Sequence, residues 1–239
     1  MQRNKFVFVI PAYNAKDTVC QMLMSLVAQC YPFWRAVIID DISTDGTPDV
    51  IGSFCNAIGI SDRITLIRNT DKKWEVENVL MGINLCEEDE IVCRLDADDW
   101  LCDNDALAII NDRYSRLPID VLWTSHRWSF TDMNISGPLP RGSDPYVHPW
   151  VSSHLKTFRK SVITGVHDEN FRGSDGKYFK RIGDQAIYLP VLARSTGWHY
   201  EPIVAYHYTI DMAPQNFHTD DARFQKSEAE FLRSRRFVK

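Results

Sequence analysis

A dense group of carboxylates is the most chemically distinctive feature of this 239-residue sequence. Asp96, Asp98 and Asp99 fall within four residues, directly after the apolar run at residues 91–95. Carboxylates packed this closely repel one another unless a cation neutralises them. No histidine or cysteine lies between them, so they offer only hard oxygen ligands, which suit Mg²⁺ or Mn²⁺. A solvated acidic helix N-terminus is the alternative, but Asp96 follows the buried run too closely for easy solvation.

A second polar segment, at residues 40–47, carries groups suited to holding a nucleotide base. Asp41 can accept a hydrogen bond from the N–H edge of a base, while Asp45 and Thr47 shape a turn and a helix start. Tyr13, which follows an earlier apolar run, offers a ring on which that base can stack. The plainer alternative is that these are ordinary turn, cap and packing residues.

These groups meet only if the chain between them brings them together. Short apolar, β-branched runs at residues 5–10, 34–40, 64–68 and 91–95 predict buried strands, and helical patterns separate them. Parallel strands joined in this way direct their carboxyl ends to one edge of the sheet, where ligands bind. We therefore expect one site at that edge. The residues expected there are Pro11, Ala12, Tyr13, Asn14, Asp40, Asp41, Arg68, Asn69, Asp96, Ala97, Asp98 and Asp99.

The remaining patterns predict one domain over residues 1–239, with neither repeats nor a linker. Helices are expected near residues 14–28, 47–58, 75–85, 103–117, 184–195 and 221–237, the first of them capped by Asn14 or Asp17. Further strands are expected at residues 121–124, 155–158 and 203–208. Residues 131–149 lack periodicity and predict a long functional or disordered loop.

Composition limits the classes of partner. Lys and Arg number 27 against 32 Asp and Glu, a net charge of −5, so no global positive field attracts nucleic acid. The six cysteines contain no C-x-x-C pair and are expected to be reduced thiols. The first strand follows Met1 without an apolar leader, and no apolar run approaches bilayer length. A cytoplasmic location is therefore expected.

Three linked segments, residues 9–14, 38–47 and 94–99, resemble the successive signatures of the family 2 inverting glycosyltransferases of GT-A fold. Their order and spacing match over roughly residues 5–125. The resemblance implies an α/β, Rossmann-like GT-A fold with a mostly parallel central sheet flanked by helices. It also implies a nucleotide-sugar-binding half at residues 1–125 and a half at residues 126–239 that binds the acceptor and supplies the catalytic base.

The resemblance further implies a nucleotide-sugar donor. Asp41 would hold its base, the loop from Pro11 to Tyr13 and Asp96 would meet its ribose, and a divalent metal on Asp98, with Asp99 as a further ligand, would bind its diphosphate. Because Asp41 suits the imide N–H of uracil, UDP-sugars are favoured, with TDP- and GDP-sugars as alternatives.

A shorter match, residues 182–185, resembles the Glu-Asp element of the family and gives Asp184 the role of general base, with Asp175 and Asp168 as the next candidates. Gly183 stands where an acid is common. His207 corresponds to a region where some GT-A enzymes supply a further metal or phosphate contact. The alternative is a histidine of the core whose ring nitrogens are hydrogen-bonded within the protein.

One helix departs from the family pattern. Asn78 matches, but Glu77 replaces an arginine, so Lys72 or Lys73 would have to supply the charge for the diphosphate. Lys156, in the segment 156–159, resembles a family region near the acceptor. Aromatic rings around the long loop offer platforms for an acceptor sugar. They are Trp123, Trp128, Tyr146, His148 and Trp150.

The expected activity is transfer of a sugar from the donor to a hydroxyl group of a glycan, lipid-linked or protein-linked acceptor. One base and no enzymatic nucleophile give a single displacement, which inverts the anomeric centre. The main alternative is a nucleotide-sugar-binding protein of the same fold without catalysis. A phosphatase or nucleotidyltransferase is disfavoured, because no Walker loop is present. The basic C-terminal helix either contacts an anionic membrane weakly or packs on the core.

Overall fold

The computed structural model describes residues 3–210 and 219–239, and these form one central sheet with helices on both faces. Its strands are β1 (Phe6–Ala12), β2 (Trp34–Asp40), β3 (Ile64–Arg68), β4 (Ile91–Arg94), β5 (Trp100–Leu101), β6 (Val121–Trp128), β7 (Lys156–Arg159) and β8 (Trp198–Tyr208). Their order across the sheet is β3-β2-β1-β4-β7-β6-β8-β5.

The pairing direction of the strands follows from their connections. Strands β1 to β4 pair in parallel, because a helix returns the chain between successive members. Strand β7 is antiparallel to both β4 and β6. Strand β8 is parallel to β6 and antiparallel to β5. The predicted parallel sheet is therefore confirmed for the first four strands, and the second half adds the antiparallel pairs.

Two apolar layers cover the sheet. The helices are α1 (Val19–Val27), α2 (Thr47–Ile58), α3 (Trp74–Asn84), α4 (Ala106–Arg116), α5 (Lys160–Ile163), α6 (Gly183–Arg194) and α7 (Thr219–Arg235). Phe6, Phe8 and Ile10 of β1 face the layer that contains α1, α2 and α4, and Val7 and Val9 face the layer with α3 and α6. This alternation buries β1 on both faces, as its continuous apolar run predicts.

Helix α3 lies very close to the sheet at Gly82. A Cβ atom at this position would lie 2.5 Å from Val9 Cγ1 and 2.9 Å from Ile39 Cδ1. Since real Cβ contacts are longer, any larger residue would displace α3 from β1 and β2. The close approach holds the C-terminal part of α3 against β1 and β2.

The structure differs locally from the sequence-based expectations. Helix α1 begins at Val19, and neither Asn14 nor Asp17 caps it. Asn14 has a positive φ of 50°, and its side chain instead accepts a hydrogen bond from Thr44 N at 2.8 Å. Strand β5 was not predicted, because two residues carry no periodic signal. Strands β6 and β8 are longer than expected, since their pairing continues through a register shift.

All six cysteines are free thiols, as expected. None of the helices in the described ranges is both long and apolar enough to cross a bilayer.

Candidate active site

A cavity of about 790 Å³ opens at the sheet edge where the carboxyl ends of the first strands meet. It is bounded by the segment after β4, the first turns of α3 and α6, the end of β8 and one side of α7. Its lining residues are Glu75, Asp96, Asp98, Asp99, Trp150, His154, Arg181, Ile182, Gly183, Asp184, Gln185, Tyr208, Thr209, Gln225, Lys226 and Ala229.

Asp41 lies beside this cavity and is buried, with hydrogen-bond donors on both carboxylate oxygens. Oδ1 accepts from Lys73 N and Asn69 Nδ2, both at 2.9 Å, and Oδ2 accepts from Trp74 N at 3.0 Å. Burial alone would raise the Asp41 pKa, but these donors hold the pKa below its ordinary value. Trp74 has a left-handed backbone, with φ of 66°. Such a conformation costs about 1–3 kcal/mol in a bulky residue, and the Asp41 carboxylate stabilises it.

Lys72 occupies the space between Tyr13 and Asp41. Its Nζ lies 3.0 Å from the centroid of the Tyr13 ring and 3.3 Å from Asp41 Oδ2. The Tyr13 ring is otherwise 53% exposed, which leaves it accessible to a ligand. An ammonium group therefore rests on the ring that was predicted to stack against a base.

Hydrogen bonds join the segment after β1 to the segment after β2. Asn14 N donates to Ser43 Oγ at 2.9 Å, and Ala15 N donates to Thr47 Oγ1 at 2.8 Å. Asp45 organises the turn, because its Oδ1 accepts from Thr47 N at 2.9 Å. The predicted role of Asp45 in the turn is therefore observed, whereas the N-cap position of α2 is Gly46 and not Thr47.

Asp96 and Arg94 form an ion pair at the end of β4. Arg94 is buried, and its Nη2 lies 2.6 Å from Asp96 Oδ1 and 2.8 Å from Glu75 Oε1. The Asp96 backbone N–H donates to the hydroxyl group of Tyr206 at 3.2 Å. These contacts hold Asp96 in place, with its carboxylate directed into the cavity.

Asp98 and Asp99 point in different directions. Asp98 is exposed in the cavity, while Asp99 is buried and turns inward. Tyr206 Oη donates to Asp99 Oδ2 at 2.6 Å, and Thr209 N donates to Asp99 Oδ1 at 2.7 Å. Burial and the charges of Asp96 and Asp98 raise the Asp99 pKa to about 8. The raised pKa of Asp99 thus reflects its burial and the negative charges of Asp96 and Asp98 beside it.

These carboxylates fit a hard divalent cation in one specific way. Among the residues the structure describes, no three or more His, Cys, Asp or Glu side chains are grouped to hold a metal alone. Mg²⁺ and Mn²⁺ usually use one or two protein carboxylates together with substrate phosphates. Asp98 in the cavity, with Asp99 behind it, matches that requirement.

Asp184 lies in the first turn of α6 and faces the same cavity. Lys156 Nζ is 2.7 Å from its Oδ1, and His154 Nε2 is 3.5 Å from its Oδ2. Burial would raise the Asp184 pKa, but the charges of Lys156 and Arg94 hold it well below its ordinary range. Asp184 does not cap the helix through its side chain.

Lys156 and His154 were not assigned to the site from the sequence. Lys156 is fully buried at the start of β7 and lies 3.1 Å from His154 Nδ1. Burial and the nearby Lys156 charge lower the His154 pKa to about 3, so the ring is neutral. Tyr206 and Tyr208 stack against it, with centroids at 4.5 and 5.2 Å. The only sequence signal for Lys156 was the resemblance of residues 156–159 to a family region near the acceptor, and His154 had none.

Glu75 is a further residue that the sequence analysis did not single out. Its carboxyl group lines the cavity and pairs with Arg94. Burial and the charges of Asp96 and Asp184 raise the Glu75 pKa to about 7, although Arg94 opposes the shift.

Other predicted residues lie elsewhere. Arg68 pairs with Asp49 of α2 at 2.8 Å on an exposed surface. Asn78 accepts a hydrogen bond from Asn69 Nδ2 at 2.7 Å. Asn69 in turn donates to Asp41, so Asn78 indirectly supports the Asp41 pocket, which consists of Asp41 and its donors Asn69, Lys73 and Trp74. The ring of His207 stacks on Trp100 at 3.8 Å, and its Nε2 lies 3.1 Å from Ser129 Oγ. His207 is not part of the cavity lining.

The remaining candidates also have identifiable partners. Asp168 accepts from Tyr178 Oη at 2.8 Å, and Asp175 accepts from Lys177 N at 3.0 Å, both on the exposed surface. Lys73 pairs with Asp71 and Glu77. Of the aromatic residues near the long loop, Trp150 lines the cavity. Trp123 and Tyr146 are buried in the core.

The family model and the known proteins that match this chain are all glycosyltransferases. A model of the family described as glycosyl transferase family 2 matches residues 7–183. EpsE of Bacillus subtilis (strain 168), described as a glycosyltransferase, is 31% identical over 98 residues, which are 40% of this chain and 33% of that protein. Poly(ribitol-phosphate) beta-N-acetylglucosaminyltransferase TarS of Staphylococcus aureus (strain Mu50 / ATCC 700699) is 28% identical over 116 residues, 46% of this chain and 20% of that protein. The matches thus span a third or less of these relatives' own length.

Solved structures match over most of the chain. S. aureus TarS 1-349 in complex with UDP superposes with a TM-score of 0.65 at 17% identity, covering 94% of this chain and 65% of that one. The mannosyltransferase PcManGT from Pyrobaculum calidifontis, in complex with GDP-Man and Mn²⁺, gives a TM-score of 0.65 at 16% identity, covering 96% and 64%. At this identity the likeness shows the fold, which is that of the GT-A glycosyltransferases and confirms the expected fold class.

Proposed function

The chain belongs to glycosyl transferase family 2, and on that premise we propose that it transfers a sugar from a nucleotide-sugar donor to a hydroxyl group of an acceptor. A UDP-sugar is the favoured donor, and a glycan, or a lipid-linked or protein-linked glycoconjugate, is the acceptor. The observation that carries the proposal is the meeting of Asp96, Asp98 and Asp184 in one cavity of about 790 Å³. The Asp41 pocket adjoins this cavity through Trp74 and Glu75.

Each part of the donor has a proposed partner. The base lies on Tyr13 and is held at the Asp41 pocket, with Lys72 moving off the ring to admit it. The ribose meets the segment from Pro11 to Ala12 and reaches Asp96 beside Ala97. Asn14 and Asp45 hold these segments in place, as their hydrogen bonds support. The complexes of UDP, UDP-GlcNAc and GDP-Man with fold relatives support a nucleotide-sugar ligand of this kind.

A divalent metal, Mn²⁺ or Mg²⁺, would be held by Asp98, and it would neutralise the diphosphate as the leaving group departs. Mn²⁺ in the PcManGT complex supports this choice of ion. Asp99 is proposed as support for the metal segment, because Tyr206 and Thr209 already donate to its oxygens.

Asp184 is proposed to accept the proton of the acceptor hydroxyl group. As a single base without an enzymatic nucleophile, it would give one displacement and inversion at the anomeric carbon. Its ion pair with Lys156 weakens it as a base, because the low pKa lowers its proton affinity. That observation favours one second candidate, a protein of the same fold that binds the donor without transferring the sugar.

The position of α7 decides between the two roles considered for it, a wall of the cavity and a contact with a membrane. Leu232 of α7 is fully buried, and Arg233 and Arg235 donate to backbone carbonyls of the core. We propose that α7 is a cavity wall and not a membrane anchor. Equal co-sedimentation with anionic liposomes is expected for the full chain and for a chain cut after Ala222. Binding confined to the full chain would restore the membrane role.

The proposed function is tested by a donor panel. UDP-glucose, UDP-galactose, UDP-N-acetylglucosamine and GDP-mannose are each added with Mn²⁺ while thermal unfolding is followed, since a ligand raises the apparent stability by mass action. The donor with the largest shift is then assayed for release of the nucleoside diphosphate with and without candidate glycans. A UDP-sugar is expected to shift the transition and to be consumed. Stabilisation without release under any acceptor would support the binding protein instead, and no stabilisation would contradict both.

A further inference from the structure

The residues around Glu75 leave room for its carboxyl group and hold it in place. It lies in the first turn of α3, one residue after Trp74, and its carboxyl group reaches across to the first turn of α6. A Cβ atom at Gly183 would overlap the Glu75 carboxyl group. Gly183 therefore leaves the space that this carboxyl group fills, directly beside Asp184.

Arg94 fixes the other side of the same carboxyl group. Its Nη2 donates to Glu75 Oε1 at 2.8 Å, and its Nη1 donates to Leu95 O at 2.7 Å. Because Arg94 is buried and held at three points, including Asp96, it defines where Oε1 can lie. In the described part of the chain, Glu75 Oε2 accepts no hydrogen bond, although the group lines the cavity.

The location of Glu75 limits what it can touch. Trp74, its neighbour in sequence, donates to Asp41 at the proposed base pocket, whereas the Glu75 carboxyl group lies near the proposed base Asp184. The ribose, the diphosphate and the sugar all lie between these two points, and the sugar is the part nearest the proposed base Asp184, beside which the Glu75 carboxyl group lies. Sugar hydroxyl groups are donors that pair well with a carboxylate oxygen held in place.

We propose that Glu75 contacts the sugar of the bound donor and that its carboxylate accepts a hydrogen bond from a sugar hydroxyl group. This inference rests on the proposed function, since it assumes a nucleotide-sugar in the cavity. The inference means that a residue of α3, in the nucleotide-binding half, contacts the sugar. Gly183 permits this contact because it leaves room for the Glu75 carboxyl group.

The first experiment compares the affinities for UDP and for the UDP-sugar that gives the largest thermal shift among the three UDP-sugars of the donor panel. Calorimetry with Mn²⁺ measures both ligands on the wild type and on Glu75→Ala. Loss of one hydrogen bond to a charged group is expected to weaken binding of the UDP-sugar roughly tenfold or more, with the affinity for UDP unchanged. Glu77→Ala is the matched control, because Glu77 lies in the same turn and pairs with Lys73 outside the cavity.

The second experiment moves the carboxylate between elements. Gly183→Asp is introduced into Glu75→Ala, which returns a carboxyl group to the vacated space from α6. This double variant is expected to recover at least part of the preference for the UDP-sugar over UDP. Gly183→Asp alone is expected to lower the thermal midpoint, because it places two carboxyl groups in one space.

Gly183→Ala provides a fold-level check that does not depend on a ligand. It is expected to lower the thermal midpoint in the wild type and not in Glu75→Ala, where the overlapping group is absent. Should Glu75→Ala prove unstable through the exposed charge of Arg94, Glu75→Gln keeps the shape and an acceptor oxygen but loses the charge. Glu75→Gln is then expected to reduce the UDP-sugar preference.

The outcomes separate the two proposals. If the wild type binds no nucleotide or nucleotide-sugar, the proposed function fails and the inference fails with it. If the wild type binds the UDP-sugar and the Glu75 variants weaken UDP and UDP-sugar equally, or neither, the inference alone is overturned. If Gly183→Ala lowers the thermal midpoint both in the wild type and in Glu75→Ala, the claim that the Glu75 carboxyl group is the reason for a glycine at position 183 is overturned.

Discussion

At the scale of single residues, the site combines two carboxylates whose environments differ in kind. Asp184 is held ionised by buried Lys156, whereas burial and neighbouring carboxylates raise the pKa of Glu75 to about 7, with Arg94 opposing the shift. Such a separation of pKa values is how neighbouring acids acquire different tasks. The proposed tasks differ accordingly: Asp184 accepts a proton, although its low pKa weakens it as a base, and Glu75 accepts a hydrogen bond from a sugar hydroxyl group.

Asp184→Asn tests the role of the base. Turnover is expected to fall by about a hundredfold or more, as general-base loss typically does, with the affinity for UDP nearly unchanged. The side-chain volume is preserved, but buried Lys156 loses its charged partner, so a lower unfolding free energy is expected as well. Steady-state kinetics and calorimetry provide the two readouts, and Asp175→Asn, at an exposed turn, is the matched control. Near-normal turnover would assign the base elsewhere.

The buried, neutral His154 predicts how stability depends on pH. Its pKa is about 3 in the folded state, against about 6.5 for an unperturbed histidine. Between pH 6.5 and 5 the unfolded chain therefore binds a proton at this histidine that the folded chain does not, so the contribution of His154 to the unfolding free energy falls as the pH falls. The contribution approaches about 1.4 kcal/mol per pH unit.

His154→Gln is expected to reduce that pH slope. Denaturant unfolding at several pH values between 6.5 and 5 measures it, and His167→Gln, at an exposed position, controls for loss of an imidazole. An identical slope in wild type and His154→Gln would show that His154 is not kept neutral by the fold.

Several site residues could be predicted from the sequence and others could not, for a physical reason. Asp41 and Asp96 directly follow apolar strand patterns, so the rules for parallel sheets place them at one edge. Glu75 and Lys156 reach the site through contacts between elements far apart in the sequence. Those contacts leave no local pattern, and a charged residue in a helix or strand is most often solvated.

At the scale of elements, α7 closes one side of the cavity through hydrogen bonds as well as apolar contacts. Arg233 donates to Gln185 Oε1 at 2.9 Å, to Tyr146 O at 3.1 Å and to His148 O at 3.0 Å. The basic residues of this helix were evident in the sequence. Their inward hydrogen bonds were not, because a helical pattern does not show which carbonyl groups lie opposite it.

Arg233→Ala is expected to lower the unfolding free energy by about 1–3 kcal/mol, because partly buried carbonyl groups lose their donor. Denaturant unfolding measures this change. Glu230→Ala, on the exposed side of the same helix, is expected to change the unfolding free energy by less than about 0.5 kcal/mol. Equal effects of the two changes would mean that Arg233 does not dock α7.

At the scale of the whole molecule, donor binding should depend on a cation. The cavity brings together Asp96, Asp98 and Asp99, and a diphosphate adds further negative charge there. Asp98→Asn is expected to abolish turnover and the Mn²⁺-dependent part of donor binding while leaving the fold intact. Thermal shift with donor, in Mn²⁺ and in excess EDTA, measures the dependence. Full activity in EDTA would contradict it.

The sheet order also has a consequence for how the protein is made. Strand β8 lies between β6 and β5, and its Tyr206 donates to Asp99, so support for the carboxylate segment comes from the last strand of the sheet. The ribosome releases β1 to β4, with Asp41 and its partners, well before β8. A nascent chain can thus assemble the base pocket early, through local strand–helix units. The proposed site for the cation and the diphosphate is therefore expected to be complete only after β8 has been translated and inserted.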